Sequence, residues 1–448
     1  MIRKEGNTMA KENEGFSEKL LVFAGKIANQ RHLLALRDGI ILSMPLLIAG
    51  SIFLILAAFP VPAYSNFMLH IFGKGWDTKM LYPVYASFSI MGLIAAFGIA
   101  YHLAKSYHVD ALSAGIISVS AFVLTIPVDK IGNINMNLLG SQGLFTAIIL
   151  AIVSTEIYRV FIQKNIVIKM PDSVPQAVSK SFSALIPGFV VILLIWVIRL
   201  LIELTPMGSI PNIVTSFVSK PLGVLGTSFA GSFTILFIEL FLWIFGIHGA
   251  GIVNGIMAPI WLGAMDQNRI AFMAHQPLPN IITQQFFDNF IAMGGSGTTI
   301  GLALMLVFMS KSRQMKTLGK LAIVPSLFNI NEPILFGLPI VLNPIMVIPF
   351  LISPLVVFTT TYVSMKLGWV AWAAGVSVPW TTPPIISGFL ATGGHISGSI
   401  IQIVNIALTF FIYYPFFKFF DNQKVKDEKQ SKTSESIKTS SSDATSSI

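Results

Sequence analysis

The sequence predicts an all-α integral membrane protein, and three observations carry that prediction. Of 448 residues, 54% are hydrophobic and 11% charged, against roughly 25% charged in an ordinary soluble domain. Apolar runs near the ~20 residues that cross a bilayer as helix recur along the chain. The longest polar segments, residues 1–37 and the tail after 421, are too short for a soluble domain.

Residues 1–38 read as a charged cytoplasmic segment. The first apolar run, 39–59, follows that stretch, reaches bilayer length and lacks a small-residue cleavage site, so it is expected to stay as a span. Spans at 81–104, 111–128, 143–161 and 182–204 complete a first transmembrane half over 39–210. Residues 211–226 form an expected interfacial linker helix, with Val214, Phe217 and Val218 on one face. Residues 170–183 make a similar case, with Val174, Val178 and Phe182 at i, i+4 and i+8. The second half, 227–420, offers spans near 228–247, 298–309, 344–365, 367–379 and 395–420, which brings the expected total to about ten. Several are broken by Gly and Pro. The tail 421–448 mixes Lys, Asp, Glu, Ser and Thr without apolar periodicity and is expected to be disordered.

The net charge of +9 comes from Lys and Arg clustered beside apolar runs, a pattern that fixes topology and does not fit nucleic acid. Lys11, Lys26, Arg37, Lys164, Lys311 and Lys316 fall on the cytoplasmic side, which puts both termini inside. With no cysteine, disulfides, thiolate metal sites and cysteine nucleophiles are excluded. No HExxH or GxxxxGK[ST] pattern occurs, so the reading includes no metal, no cofactor and no ATP-driven step by this chain.

Function is expected in the second half, because broken backbone at membrane depth must be buried in protein or line an aqueous cavity. In FGIHGAGIVNG, residues 245–255, His248 and Asn254 stand among glycines. Gly251 and Gly255 fit a helix-packing face, but an ionisable ring in an apolar segment needs a partner or a cavity. In MGGSGTTIG, residues 293–301, Ser296, Gly297, Thr298 and Thr299 either offer donors to a polar ligand or form a turn capping the next helix. In 378–395, Trp380 and paired prolines predict a hairpin, with an interfacial anchor as the other reading of Trp380. In NINEPILFGLPI, residues 329–340, Asn329, Asn331 and Glu332 precede Pro333, whose missing N–H marks a break that presents polar groups. Pairing of Glu332 with a distant Lys or Arg is the structural alternative. A carboxylate, an imidazole, amides and hydroxyls, with indoles from Trp243, Trp261 or Trp380, suit a sugar.

These stretches, with LRDGIILSMPLLIAGSIF at the first span and FNINEPILFGLPIVLNP above all, resemble the membrane-embedded IIC component of bacterial sugar phosphotransferase permeases, in the lactose, cellobiose and diacetylchitobiose branch. The resemblance implies a homodimer of about ten spans in the bacterial inner membrane, with a dimerising first half and a sugar-binding second half containing re-entrant hairpins. It implies that Glu332 meets the sugar near its 6-hydroxyl and that His248 lines the site. It further implies a cytoplasmic IIB partner, loaded from IIA, that carries phosphate on a cysteine. Glu332 and His248 are then the expected catalytic pair, and Glu332, His248, Asn331, Asn254, Trp380, Thr298, Thr299, Ser296 and Gly297 the expected sugar contacts. Cellobiose and diacetylchitobiose fit better than lactose. The competing class is a proton-coupled secondary sugar transporter, with Glu332 or His248 carrying the proton.

Overall fold

The computed structural model describes residues 26, 29–59, 62–171, 173–338, 340, 343 and 345–445, with side chains as far as 430. Helices dominate, and the only β feature among the described residues is an isolated bridge between Val128 and Ile134. Among the described residues six helical runs are long and apolar enough to cross a membrane, or seven with the pair Ile210–Thr227 and Phe229–Ile244, which is bent by 77°. Ala111–Thr125 is a shorter apolar helix. The gap from the expected ten has a local cause. Residues 298–309 yield only the helix Ile300–Phe308, and 367–379, expected as a span, forms irregular chain behind Gly368.

In the first half, Arg31–Ile41 leans on Met91–Ser106, which also packs on Ala111–Thr125 and Leu144–Gln163. The approach is close at Gly39, where an added Cβ would lie 2.3 Å from the Ile99 amide nitrogen. The expected helix over 170–183 appears as Gln176–Ser183, none of it buried. The linker over 211–226 is helix with a π turn at Thr215–Ser219. Arg199 pairs with Glu203 at 2.7 Å, as their i, i+4 spacing predicts, and also donates to the Leu124 carbonyl.

The halves meet along one apolar core that draws Leu47, Phe88 and Met91 from the first and Trp243, Phe286 and Phe358 from the second. Polar contacts cross the same boundary. The Ser377 amide donates to the Ser51 hydroxyl at 2.7 Å. The Ser141 hydroxyl meets Asp266. Asp266 is paired with Arg269 at 2.6 Å, both only 4% exposed, and the Arg269 guanidinium lies over the Phe88 ring.

In the tail, residues 421–445 continue the last helix, Ile396–Thr445. Asp421 accepts from the Lys311 and Ser312 amides, and Glu428 from the Ser312 hydroxyl and the Gln314 amide. These bonds cap the free N–H groups of Arg313–Leu327 and anchor a sequence whose composition alone gives no reason to fold.

Candidate functional site

The break before Glu332 is built by two asparagines. Asn329 takes φ +62°, a left-handed conformation that Asn tolerates better than most residues. Its Oδ1 accepts from the Gly294 amide at 2.8 Å, and its Nδ2 donates to the carbonyls of Trp380 at 2.6 Å and Thr382 at 3.1 Å. Asn331 donates to the Ser296 carbonyl at 2.6 Å and to the Thr299 hydroxyl at 3.0 Å. Three stretches far apart in sequence therefore converge on one point. Glu332 opens the short helix Glu332–Gly337, with Pro333 in its first turn. Its side chain is exposed and has no hydrogen-bonded or charged partner among the described residues. The distant Lys or Arg of the structural alternative is absent there. A carboxylate at a helix start is also favoured by the helix dipole.

Of the two readings of Thr298 and Thr299, the hydrogen bonds favour the turn. Both are fully buried, and their hydroxyls bond to the carbonyls of Ile291 at 2.7 Å and Gly294 at 2.5 Å. They stand behind the site as braces, not as free donors. Gly297 has a similar task. At φ +83° an added Cβ would fall 2.2 Å from the Phe350 ring, and the glycine's carbonyl accepts from Tyr413 at 2.8 Å. Ser296 is half-buried and gives its carbonyl to Asn331. Trp380 is 51% exposed, on the hairpin side of Asn329.

His248 and Asn254 belong to a second group. His248 is the N-cap of Gly249–Met273, where its Nδ1 accepts from the Gly251 amide at 3.0 Å. The ring is exposed and lies 4.6 Å from the Trp243 ring. Asn254 accepts from Gln284 at 3.3 Å, and Gln284 donates to Asp288 at 3.0 Å. Glu239 stands within electrostatic reach of Asp288. Trp243 Nε1, Gln284 Oε1 and both polar side-chain atoms of Asn289 are buried without a hydrogen-bond partner among the described residues. Buried polar atoms rarely stay unpaired, so these four atoms are candidates for contact with a polar ligand. Trp261 is not part of it, because it is buried, stacked 4.0 Å from Phe287 and bonded to the Gly226 carbonyl.

No hydrogen bond or ring contact joins His248 or Asn254 directly to Asn331, Glu332 or Trp380 among the described residues. Segment 284–299 connects the two groups, since Gln284 and Asp288 serve the first and Gly294, Ser296 and Thr299 the second. Sequence reasoning missed Gln284, Asp288, Asn289 and Gln402. Gln402 is fully buried, accepts from the Ile385 and Gly388 amides and donates to the Asn289 carbonyl and the Ser387 hydroxyl. The signal that could have found them was a run of amides and a carboxylate inside an apolar stretch. Among the described residues no group of three His, Cys, Asp or Glu side chains could hold a metal ion.

Comparison with known proteins bears on this arrangement. The family model described as "Phosphotransferase system, EIIC" matches residues 37–354. The chain is 56% identical over 426 residues to the lichenan permease IIC component of Bacillus subtilis (strain 168), covering 92% of this chain and 94% of that one. It is 54% identical to the cellobiose-specific EIIC component of Geobacillus stearothermophilus, over 90% of this chain and 93% of the other. Among solved structures it resembles the transporter ChbC, the IIC component from the N,N'-diacetylchitobiose-specific phosphotransferase system. That likeness has a TM-score of 0.89 at 51% identity, covering 92% of this chain and 99% of that one.

Proposed function

This chain belongs to the phosphotransferase system EIIC family, and on that premise we propose that it binds a β-linked disaccharide and passes it across the bacterial inner membrane while a partner phosphorylates it. Cellobiose and N,N'-diacetylchitobiose are the favoured sugars, ahead of lactose. The observation that carries the reading is the convergence at Asn329 and Asn331, which ties the Trp380 backbone and loop 294–299 to the segment where the Glu332 carboxylate is exposed and unpaired among the described residues. A free carboxylate and an exposed indole on segments joined in this way suit a pyranose, which has hydroxyls at its rim and C–H groups on its flat side.

In this reading Glu332 accepts the hydrogen bond of the sugar 6-hydroxyl and holds it in line for attack. The donor is a cytoplasmic IIB protein, itself supplied by IIA, with phosphate on a cysteine. As the new O–P bond forms the S–P bond breaks, the thiolate departs with the partner, and the hydroxyl proton goes to the Glu332 carboxylate. Such transfers are accelerated mainly by positioning and electrostatics. His248 offers the ring atoms that its capping bond leaves free, next to Trp243. Asn254 presents its amide from the same helix. The chain acts as a homodimer joined through its first half, with both termini in the cytoplasm.

Isothermal titration of the purified protein with cellobiose, diacetylchitobiose, lactose and the α-linked disaccharide maltose tests the substrate class. Binding of the first two, with lactose weaker and maltose absent, is the expected result. Binding of maltose alone, or of none of the four, would overturn it.

A further inference from the structure

The two ends of the Asn329 side chain serve two different parts of the site. Oδ1 takes the Gly294 N–H, so it must be the acceptor; Nδ2 faces the Trp380 and Thr382 carbonyls, so it must be the donor. The chemistry of the partners thus fixes the orientation of the amide. Loop 293–299 has other ties to this segment, because Asn331 binds it at Ser296 and Thr299. The hairpin is held elsewhere at its far end, where Gln402 binds the Ile385 and Gly388 amides and Ser399 the Ile385 carbonyl. Among the described residues, the Nδ2 bonds of Asn329 are the hydrogen bonds that join the Trp380 end of the hairpin to the segment carrying Glu332.

We propose that Asn329 is a positioning residue that sets the spacing between Trp380 and Glu332, and through it the affinity for the sugar ring. The inference rests on the functional reading above and goes beyond it by naming what holds the aromatic platform in register with the carboxylate. Asn329 is 5% exposed and its amide is taken up by Gly294, Trp380 and Thr382, so it acts through them. Its left-handed backbone reinforces the role, since it turns one side chain toward two loops at once.

The variant that separates the two ends is Asn329→Asp. Its carboxylate still accepts from Gly294, but it presents oxygen to two carbonyl oxygens and releases the hairpin. Asn329→Gly is the second variant. It keeps the positive φ, loses all three bonds, and stays informative if the aspartate form does not fold. Cellobiose affinity is read by titration in a double-mutant cycle with Trp380→Ala. Each Asn329 variant is expected to weaken binding about tenfold in the wild-type background and less than twofold once Trp380 is alanine. In transport coupled to phosphorylation, Asn329→Asp raises KM more than it lowers kcat. Equal losses in both backgrounds, or unchanged affinity in the single variants, overturn the inference while the functional reading stands. Absence of disaccharide binding by the wild type overturns the reading and the inference with it.

Discussion

In the proposed reaction the chemistry falls to Glu332 and His248, and their surroundings make different demands. Glu332 has no structural bond to lose among the described residues, so Glu332→Gln is expected to leave thermal stability unchanged. Sugar phosphorylation should fall about 100-fold, in the range attributed to a positioned acid or base. A coupled assay of sugar-phosphate formation beside a thermal melt checks both halves of that statement. His248 has two tasks, because its Nδ1 caps Gly249–Met273. Substituting a cap residue by alanine costs about 1 kcal/mol, whereas asparagine is itself a good cap. His248→Ala should lower both stability and sugar affinity, and His248→Asn the affinity alone. Titration and melting of the two variants separate the roles.

At the scale of elements, the fold was legible wherever a signal was local. The apolar runs gave the helices, and Pro333 announced the break because proline removes an N–H from any continuing ladder. What could not be read was pairing at a distance. Nothing near Asn329 says that its amide meets carbonyls at Trp380 and Thr382. Gln402, within an apolar run, gives no hint that it stitches a hairpin to the Asn289 carbonyl. Thr298 and Thr299 show the converse, since their hydroxyls suggested ligand contacts and are instead consumed by the loop itself. The start of the tail shows the same limit. Composition described its solvent-facing character, and the carboxylates of Asp421 and Glu428 that anchor it act across more than a hundred residues. Asp421→Ala, which strips the cap from the Lys311 and Ser312 amides, is therefore expected to cost about 1–2 kcal/mol of stability in denaturant unfolding.

A pH effect belongs to the helix Ala111–Thr125, whose N-cap is Asp110. Partial burial of Asp110 works to raise its pKa, but the bonds from Ser113 and the nearby Lys180 charge outweigh it and hold the carboxyl below its ordinary 3.8. A depressed carboxylate pKa stabilises the fold above the unfolded value and loses that stabilisation as pH falls through the folded value. The contribution is intact at neutral pH and disappears only below about pH 4. A wild-type minus Asp110→Asn stability difference, measured by melting between pH 7 and 3, should shrink over that acid window and nowhere else.

For the whole molecule, the proposed translocation predicts that the boundary between the halves yields. It is closed by the Ser377 amide on Ser51, by Ser141 on Asp266, and by Arg269 over Phe88. The Asp266–Arg269 ion pair, within one helix, is costly to desolvate, and it reaches the first half through Ser141 and Phe88. The chain contains no cysteine, so a pair introduced as Ser51→Cys and Ser377→Cys reacts alone. Oxidation of that pair is expected to stop sugar uptake and reduction to restore it. Undiminished uptake by the crosslinked protein would show that the halves need not separate there.

The proposed coupling of sugar translocation to phosphorylation is read out by labelled cellobiose given to vesicles containing this chain. With the cytoplasmic phosphate carriers and phosphoenolpyruvate present, labelled sugar-phosphate should accumulate inside, and without them little label should be retained. Concentration of unmodified cellobiose driven by a proton gradient, with the carriers absent, would contradict the account and identify a proton-coupled transporter instead.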